Sequence, residues 1–594
     1  MEGAAAEPTN PPPTSMAVLS RLADPSSGLW EACGYQPFPL GPLTARRDPV
    51  RPVTVALAEA RSRYDVVIVG SGAGGGVAAR VLAEAGASVL IVERGGWVGR
   101  DAPGLDHLRN HRLTLLGDGT SPDGHPRTRT GSNGEEVTIG PLDPEYHNNA
   151  ITIGGGSRLF GAQAWRFHPD DFRMASLYGV PEGSALADWP ISYDDLAPFY
   201  RQVEWDLGVA AGPGQDFPMP PWPPGREDRL LLDAAGRLGW PTTRVPLLIN
   251  TQPRDGRAAC VRCGFCVGFP CPVDAKNGSD VAALPKAIRL GAQLLAGTQV
   301  AGISDDGSVD VVAGDEHRTI LAGRIVLAAG AIETARLLQV SRIGNDWVGD
   351  CLQGHTYAGA YGRFDDVVVD GLGPGPSVAT RQFSHRNDGV VGGGLLANDF
   401  VKLPALFYLR ALPPDAPRHG QAAIDEVTRW YLRTGHVWGP VQEVPTRAAR
   451  VRLSARTADA AGVPVARLEG SQHPEDIRTA KLLAARSQTW LEEAGAHFAW
   501  PVQPQAPALS GGQHQAGTAR MAETPEAGAT DPNGRVWGTE RIYVADASLH
   551  VTNGGANPSL TIMALAWRTA AHIASHTPKV GSGGERAHPP GHPG

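Results

Sequence analysis

The segment from Tyr64 to Glu93 constrains this chain more than any other. Asp65 to Val69 is a short apolar run of the kind that forms a buried strand. It ends in Gly70, Ser71, Gly72, Ala73, Gly74 and Gly75. Beyond the glycines, Val77, Val81, Leu82 and Ala85 recur at helical spacing, and Gly86 stops the helix. Ser88 to Val92 supplies a second strand ending in Glu93. The first glycine permits a tight turn, the second lets the backbone approach a pyrophosphate, and the third lets helix and strand pack closely. The helix N-terminus attracts phosphate charge. Glu93, 23 residues after Gly70, stands where a carboxylate can accept hydrogen bonds from a ribose. The pattern predicts a layered α/β unit that binds a dinucleotide through Gly70, Gly72, Ala73, Gly75 and Glu93. These residues alone do not separate FAD from NAD.

Later segments repeat this grammar. Arg324 to Ala328 reads as a strand leading through Ala329 and Gly330 into a helix over Ala331 to Leu338. Ile542 to Ala545 reads as another strand, and a helix is expected from Pro558 to Ala574. The chain thus returns to one layered domain after excursions. Between 346 and 500 the character changes. Alternation as in Val451 to Ser454 and a helical stretch from Arg478 to Gly495 predict a mostly antiparallel sheet with helices, capping the nucleotide-binding layer. Gly154, Gly155 and Gly156, followed by Ser157, let the main chain lie against a flat or charged ligand, and apolar neighbours place this loop inside.

With 594 residues the chain can bury a large core in more than one unit. A net charge of −8 gives nucleic-acid binding no electrostatic support. No window approaches the roughly 18 uninterrupted apolar residues of a membrane span. The N-terminus lacks the basic and apolar regions of a secretory signal, so a cytoplasmic location is expected. Residues 1–15 and 578–594 read as disordered tails.

Near the C-terminus His514 precedes Gly517 and Thr518, and Asn557 precedes Pro558. Abstracting hydride from an alcohol requires loss of the hydroxyl proton, and a histidine is a suitable base. An asparagine amide can hold the same oxygen so that the C–H bond points at the acceptor. His550 could line such a pocket, although a packing role suits it better.

These blocks, in this order, resemble the glucose-methanol-choline (GMC) oxidoreductases. The resemblance covers about residues 64–575 and rests on Gly70 to Gly75 with Glu93, Gly154 to Ala162, Trp189 to Pro198, Val326 to Leu338, Gly344 and Asn345 before His355, and the C-terminal block. It implies FAD, a Rossmann-like FAD-binding domain assembled from discontinuous segments, and a substrate domain with an antiparallel sheet and helices. It implies His514 as base and Asn557 as its partner, with hydride passing to flavin N5. It also implies Gly155, Ser157, Gly161, Ala162, Ala329, Gly330 and Pro558 beside the cofactor, Asp546 and Ala547 near its ribityl or phosphate region, and Val300 ending a strand near the adenine. The chain is most similar to bacterial sugar- and glycoside-oxidising, pyranose-oxidase-like members. Some of those attach FAD to a histidine after Gly-Gly-x-Ser, but Leu159 and Phe160 occupy that region here, so noncovalent FAD is expected. The implied segments are an N-terminal extension at 16–60, FAD-binding parts at 61–185, 241–345 and 501–577, and substrate parts at 186–240 and 346–500.

Cys260, Cys263, Cys266 and Cys271 lie within twelve residues. Four thiolates so close could hold an iron–sulfur cluster, or zinc. The favoured reading is structural. Three functions remain open on sequence: oxidation of a sugar or glycoside hydroxyl with oxygen or another acceptor; oxidation of a sterol, long-chain or simple alcohol with electrons leaving through a cluster; and a non-redox lyase of the same fold.

Overall fold

In a computed structural model, the structure describes residues 13–36, 50–98, 125–131, 134–140, 143, 146, 150–212, 216–400, 402–510 and 512–576. Most of the expected N-terminal tail and the whole C-terminal one lie outside these residues. Pro13–Ala23, assigned in part to that tail, is helical.

Three sheets organise the described residues. The first has seven strands. Its parallel part runs Gln293–Leu295, Val89–Val92, Arg63–Val69, Glu316–Leu327 and Ile542–Val544. Val66 to Val69 and Val89 to Val92 are nearly all inaccessible to solvent, as strands covered on both faces must be. The long strand Glu316–Leu327 also continues into an antiparallel meander with Ser308–Ala313 and Gln299–Ile303. The helix Ala73–Glu84 lies on this sheet and packs against the C-terminal helix Ser559–His576. Gly86, at φ 88°, follows its last turn.

The second sheet has six strands, all antiparallel: Phe498–Val502, Tyr357–Arg363, Thr434–Pro440, Leu396–Asn398, Val378–Thr380 and Thr243–Arg244. Its core is shared with the helices Arg226–Leu238 and Pro474–Glu493. Two details differ from the expectation. Thr243–Arg244 joins this sheet although the change of unit was placed at 240. The alternating strand at 451–454 does not join it. It forms Arg450–Ala458, pairs with Pro464–Glu469, and builds a third sheet with Arg127–Thr130 and Glu136–Ile139. Val451 and Leu468 there pack on Ile332 and Ala335 of the helix Ala331–Val340, so the alternation reflects a second surface of the nucleotide-binding layer, not the cap.

The N-terminal helices Pro13–Ala23 and Leu29–Cys33 bury Leu19, Leu22 and Tyr35 against Phe407, Val427 and Tyr431, with Phe265 and Phe269 from the cysteine-rich loop in the same cluster. Among the described residues no helix is long and apolar enough to cross a membrane.

Candidate active site

One cavity of about 400 Å³ runs between the first two sheets. Its floor is the glycine loop. Gly70 turns at φ 99°, and a Cβ there would lie 2.4 Å from Ala328 O. Gly75 does not line the cavity. A Cβ on it would meet Gly70 O at 2.0 Å, so its glycine serves helix-to-strand packing. Gly74 is more confined still, its added Cβ falling 1.8 Å from Ala545 O. Gly155, at φ 53°, faces Gly72 so closely that a Cβ would reach 2.9 Å from its Cα. Two bare backbone loops therefore form one cradle, as a phosphate-bearing ligand requires.

Hydroxyls stitch this cradle together. Glu93 accepts from Ser71 Oγ at 2.6 Å, Ser71 N at 3.0 Å and Gly95 N at 2.8 Å. Ser71 Oγ in turn accepts from Gly154 N at 3.0 Å. Ser157 Oγ accepts from Ser279 N at 2.9 Å, and Ser279 Oγ donates to Ser71 O at 2.8 Å. Burial pushes the Glu93 carboxyl above its ordinary range even against these donors. Arg158, paired with Asp280, stacks over the Trp97 ring at 3.7 Å and braces the loop from behind.

Asp546 accepts from Gly330 N at 2.9 Å, Thr334 Oγ1 at 2.6 Å and Ser548 N at 2.8 Å, tying the last strand to the 330 turn. Asp546, Ala547, Ala329, Gly330, Gly161 and Pro558 all border the cavity, as do Gly70, Gly72, Ala73, Glu93, Gly155 and Ser157. Val300 borders it too, but near the start of its strand and not the end. Ala162 does not; it is fully buried at φ 62° behind the wall. Gln299, Glu333 and Arg336 supply polar groups to the lining, with Arg94, Arg336 and Arg127 holding the Glu333 carboxyl well below the usual range against its burial.

His514 and Asn557 both line this cavity. His514 has φ 58°, a left-handed conformation uncommon outside glycine, and Asn553 Nδ2 holds its carbonyl at 2.8 Å. Asn557 Nδ2 donates to Tyr357 Oη at 3.0 Å, and Asn557 Oδ1 is buried without a hydrogen-bond partner among the described residues. Tyr357 packs on Trp438 at 4.6 Å and lies 6.1 Å from the His514 ring. Phe400 lines the cavity as well, its ring so near Gly161 that a Cβ there would come within 2.1 Å. His550 stays out of the cavity. Its Nδ1 bonds Asn553 Oδ1 at 3.0 Å and its ring packs on Phe167 and Trp189.

Sequence reasoning missed Tyr357, Trp438 and Phe400, which lie far from any glycine motif. The single available signal was their place in the segment 346–500, where the character of the sequence changes. The glycine cradle, the apolar lining and the His514–Asn557 pair together suit a flavin dinucleotide beside an alcohol.

The cysteine-rich loop borders the cavity through Val267 and Gly268. Its thiols are free, and burial pushes those of Cys260 and Cys263 up to about 12 and that of Cys266 up as well. Among the described residues no three His, Cys, Asp or Glu side chains are arranged to hold a metal ion, so the iron–sulfur and zinc alternatives gain no support from geometry. The loop is anchored instead by Lys276 Nζ, which donates to Cys266 O at 2.8 Å, Phe269 O at 3.0 Å and Phe160 O at 3.0 Å.

Comparison with known proteins agrees with this geometry. Residues 149–357 and 445–566 match the two GMC oxidoreductase family models, for the N- and C-terminal parts. The 6'''-hydroxyparomomycin C oxidase of Streptomyces lividus is 30% identical over 94% of this chain and 98% of its own. Paromamine 6'-oxidase of Streptomyces fradiae is 29% identical over 86% of this chain and 91% of its own. Among solved structures, pyridoxine 4-oxidase from Mesorbium loti superimposes with a TM-score of 0.57 at 19% identity, covering 86% of this chain and 99% of its own, a likeness of fold. The chain belongs to the GMC oxidoreductase family and is a flavoprotein enzyme that acts on CH–OH donors.

Proposed function

We propose that this enzyme oxidises a hydroxyl of a sugar or glycoside to the carbonyl. The observation that carries the reading is that His514 and Asn557 line the same cavity as the glycine cradle, with Tyr357 bonded to Asn557 and 6.1 Å from the His514 ring. FAD, when bound, supplies the hydride acceptor. Gly70, Gly72, Gly155 and Ser157 hold its phosphates, Glu93 its ribose, and Asp546 fixes the turn at Gly330 against it. His514 accepts the hydroxyl proton. Asn557, oriented by Tyr357, holds the oxygen so that the carbon presents its hydrogen inward. The wall after Ser157 carries Arg158, Leu159 and Phe160 and no histidine, which supports noncovalent FAD.

The sugar or glycoside substrate is supported by the two Streptomyces relatives, whose names specify oxidation of paromamine and of a hydroxyparomomycin. Trp438, Tyr357 and Phe400 in the same cavity give a sugar ring flat apolar surfaces to lie on. The test is anaerobic flavin bleaching over a panel of aminoglycosides, simple sugars, sterols and straight-chain alcohols. Bleaching fastest with a sugar or glycoside, and His514→Ala slowing it by about 100-fold or more, is the expected result. Wild-type bleaching by the alanine variant would remove His514 from the reaction.

A further inference from the structure

His514 does not stand alone. Its Nδ1 lies 2.8 Å from Nδ1 of His355, with the two rings 80° apart in an edge-to-face arrangement. The other nitrogen of His355, Nε2, lies 2.8 Å from the carbonyl oxygen of Gly554. His355 is 3% exposed.

These contacts determine where the protons are. A carbonyl oxygen has no proton to give, so His355 Nε2 must carry one. Burial holds His355 below the usual histidine range. Glu443 and Asp171 act on it in the opposite sense, but desolvation is the larger effect. A neutral imidazole protonated at Nε2 has a bare lone pair at Nδ1. The proton between the two rings then belongs to His514 Nδ1, which leaves the lone pair of His514 on Nε2.

We infer that His355 is a positioning residue that fixes the tautomer of His514, keeping Nδ1 protonated and leaving Nε2 to receive the proton of the substrate hydroxyl. The inference rests on the function proposed above. In that step the O–H bond breaks and its proton goes to His514 Nε2. The O–H electron pair becomes the second C–O bond as the carbon gives up its hydrogen with two electrons, for which bound FAD would be the acceptor. His514 becomes an imidazolium whose Nδ1–H still points at His355. Because that acceptor is uncharged, it orients the ring without holding the positive charge as a carboxylate would, so the proton can leave again. Asn553 completes the bracket: its Nδ2 donates to the His514 carbonyl at 2.8 Å and to the Gly354 carbonyl, beside His355, at 3.3 Å.

The test uses the flavin-loaded enzyme and three substitutions of His355. Glutamine can accept from His514 Nδ1 and donate to Gly554 O, as the neutral histidine does. Leucine can do neither. Glutamate accepts but is charged. Expected are a kcat for His355→Leu lowered about 10- to 100-fold with KM within about twofold, and recovery in His355→Gln to within about threefold of wild type. A second readout needs no turnover: the rate at which diethylpyrocarbonate modifies His514, followed by peptide mass as pH varies. His355→Glu should move the midpoint of that profile to higher pH while His355→Gln leaves it in place. Glutamine as impaired as leucine, or a glutamate profile that coincides with wild type, overturns the inference. An unimpaired His355→Leu beside an inactive His514→Ala overturns it alone, whereas a fully active His514→Ala overturns the proposed function as well.

Discussion

Replacing Gly74 with alanine isolates the part of the fold that positions the cofactor. The added Cβ falls 1.8 Å from Ala545 O, against a contact distance of about 3.5 Å. The obstacle is backbone at the end of the strand Ile542–Val544, so no side-chain rotation relieves it. The helix Ala73–Glu84 must therefore tilt away at its N-terminus, where its amides face the cavity. Overpacking of this kind costs about 2–3 kcal/mol. If that cost is expressed in the cradle, FAD affinity falls roughly 30- to 150-fold. Gly236→Ala is the control. It too lies within a helix, but an added Cβ meets nothing within 4 Å, so it should be neutral or slightly stabilising. The assay is titration of flavin-stripped protein with FAD, followed by quenching of flavin fluorescence. An alanine at 74 that binds FAD as tightly as wild type would refute the steric argument.

Gly161→Ala pushes on the Phe400 ring, a movable obstacle 2.1 Å from the new Cβ, so steady-state kinetics should show KM changed by several-fold while flavin content is kept. Lys276→Met leaves three buried carbonyls without their donor, and at about 1 kcal/mol or more for each it should lower thermal stability measurably by calorimetry. Burial raises Glu227 from 4.5 to about 7. The folded state then keeps a proton that the unfolded state has lost, so this group's contribution is full below pH 4.5 and disappears as pH rises through 7. Melting curves of Glu227→Gln and wild type should therefore diverge from pH 5 to pH 7.5, with the glutamine variant gaining.

The nucleotide-binding layer was legible because its signals are local. Val66 to Val69, the glycines and Glu93 are contiguous, and each obeys a short-range rule. Gly74 escaped attention because the fingerprint fixes three glycine positions, whereas its constraint comes from Ala545, more than four hundred residues away. Val451 to Ser454 was correctly read as strand, but a period of two says nothing about which sheet receives it. The strand went instead to Pro464–Glu469, which in turn pairs with Arg127–Thr130, through pairings no local pattern records. His514 and Asn557 were legible as residue types beside recognisable neighbours. His355 was noticed only as part of a family block, since its meaning depends on a 2.8 Å contact across 159 positions of chain. The cysteine cluster attracted metal hypotheses by spacing, while its anchor, Lys276, works through backbone carbonyls, which no spacing of side chains reveals.

The hydroxyl chain through Ser71, Glu93, Ser157 and Ser279, and the carboxylate of Asp546 that holds Gly330 and Thr334, bear on how the enzyme is made. On the ribosome, the strand Arg63–Val69 and the glycine turn emerge well before Asp546, so Gly330 N and Thr334 Oγ1 have no Asp546 to bond until more than two hundred further residues have been added. This side of the cradle therefore closes only once Asp546 has been made, long after the glycine turn. Until then its parallel strands wait with the edge that Ile542–Val544 will cover still open, the stage at which such a sheet is most exposed to pairing with another chain.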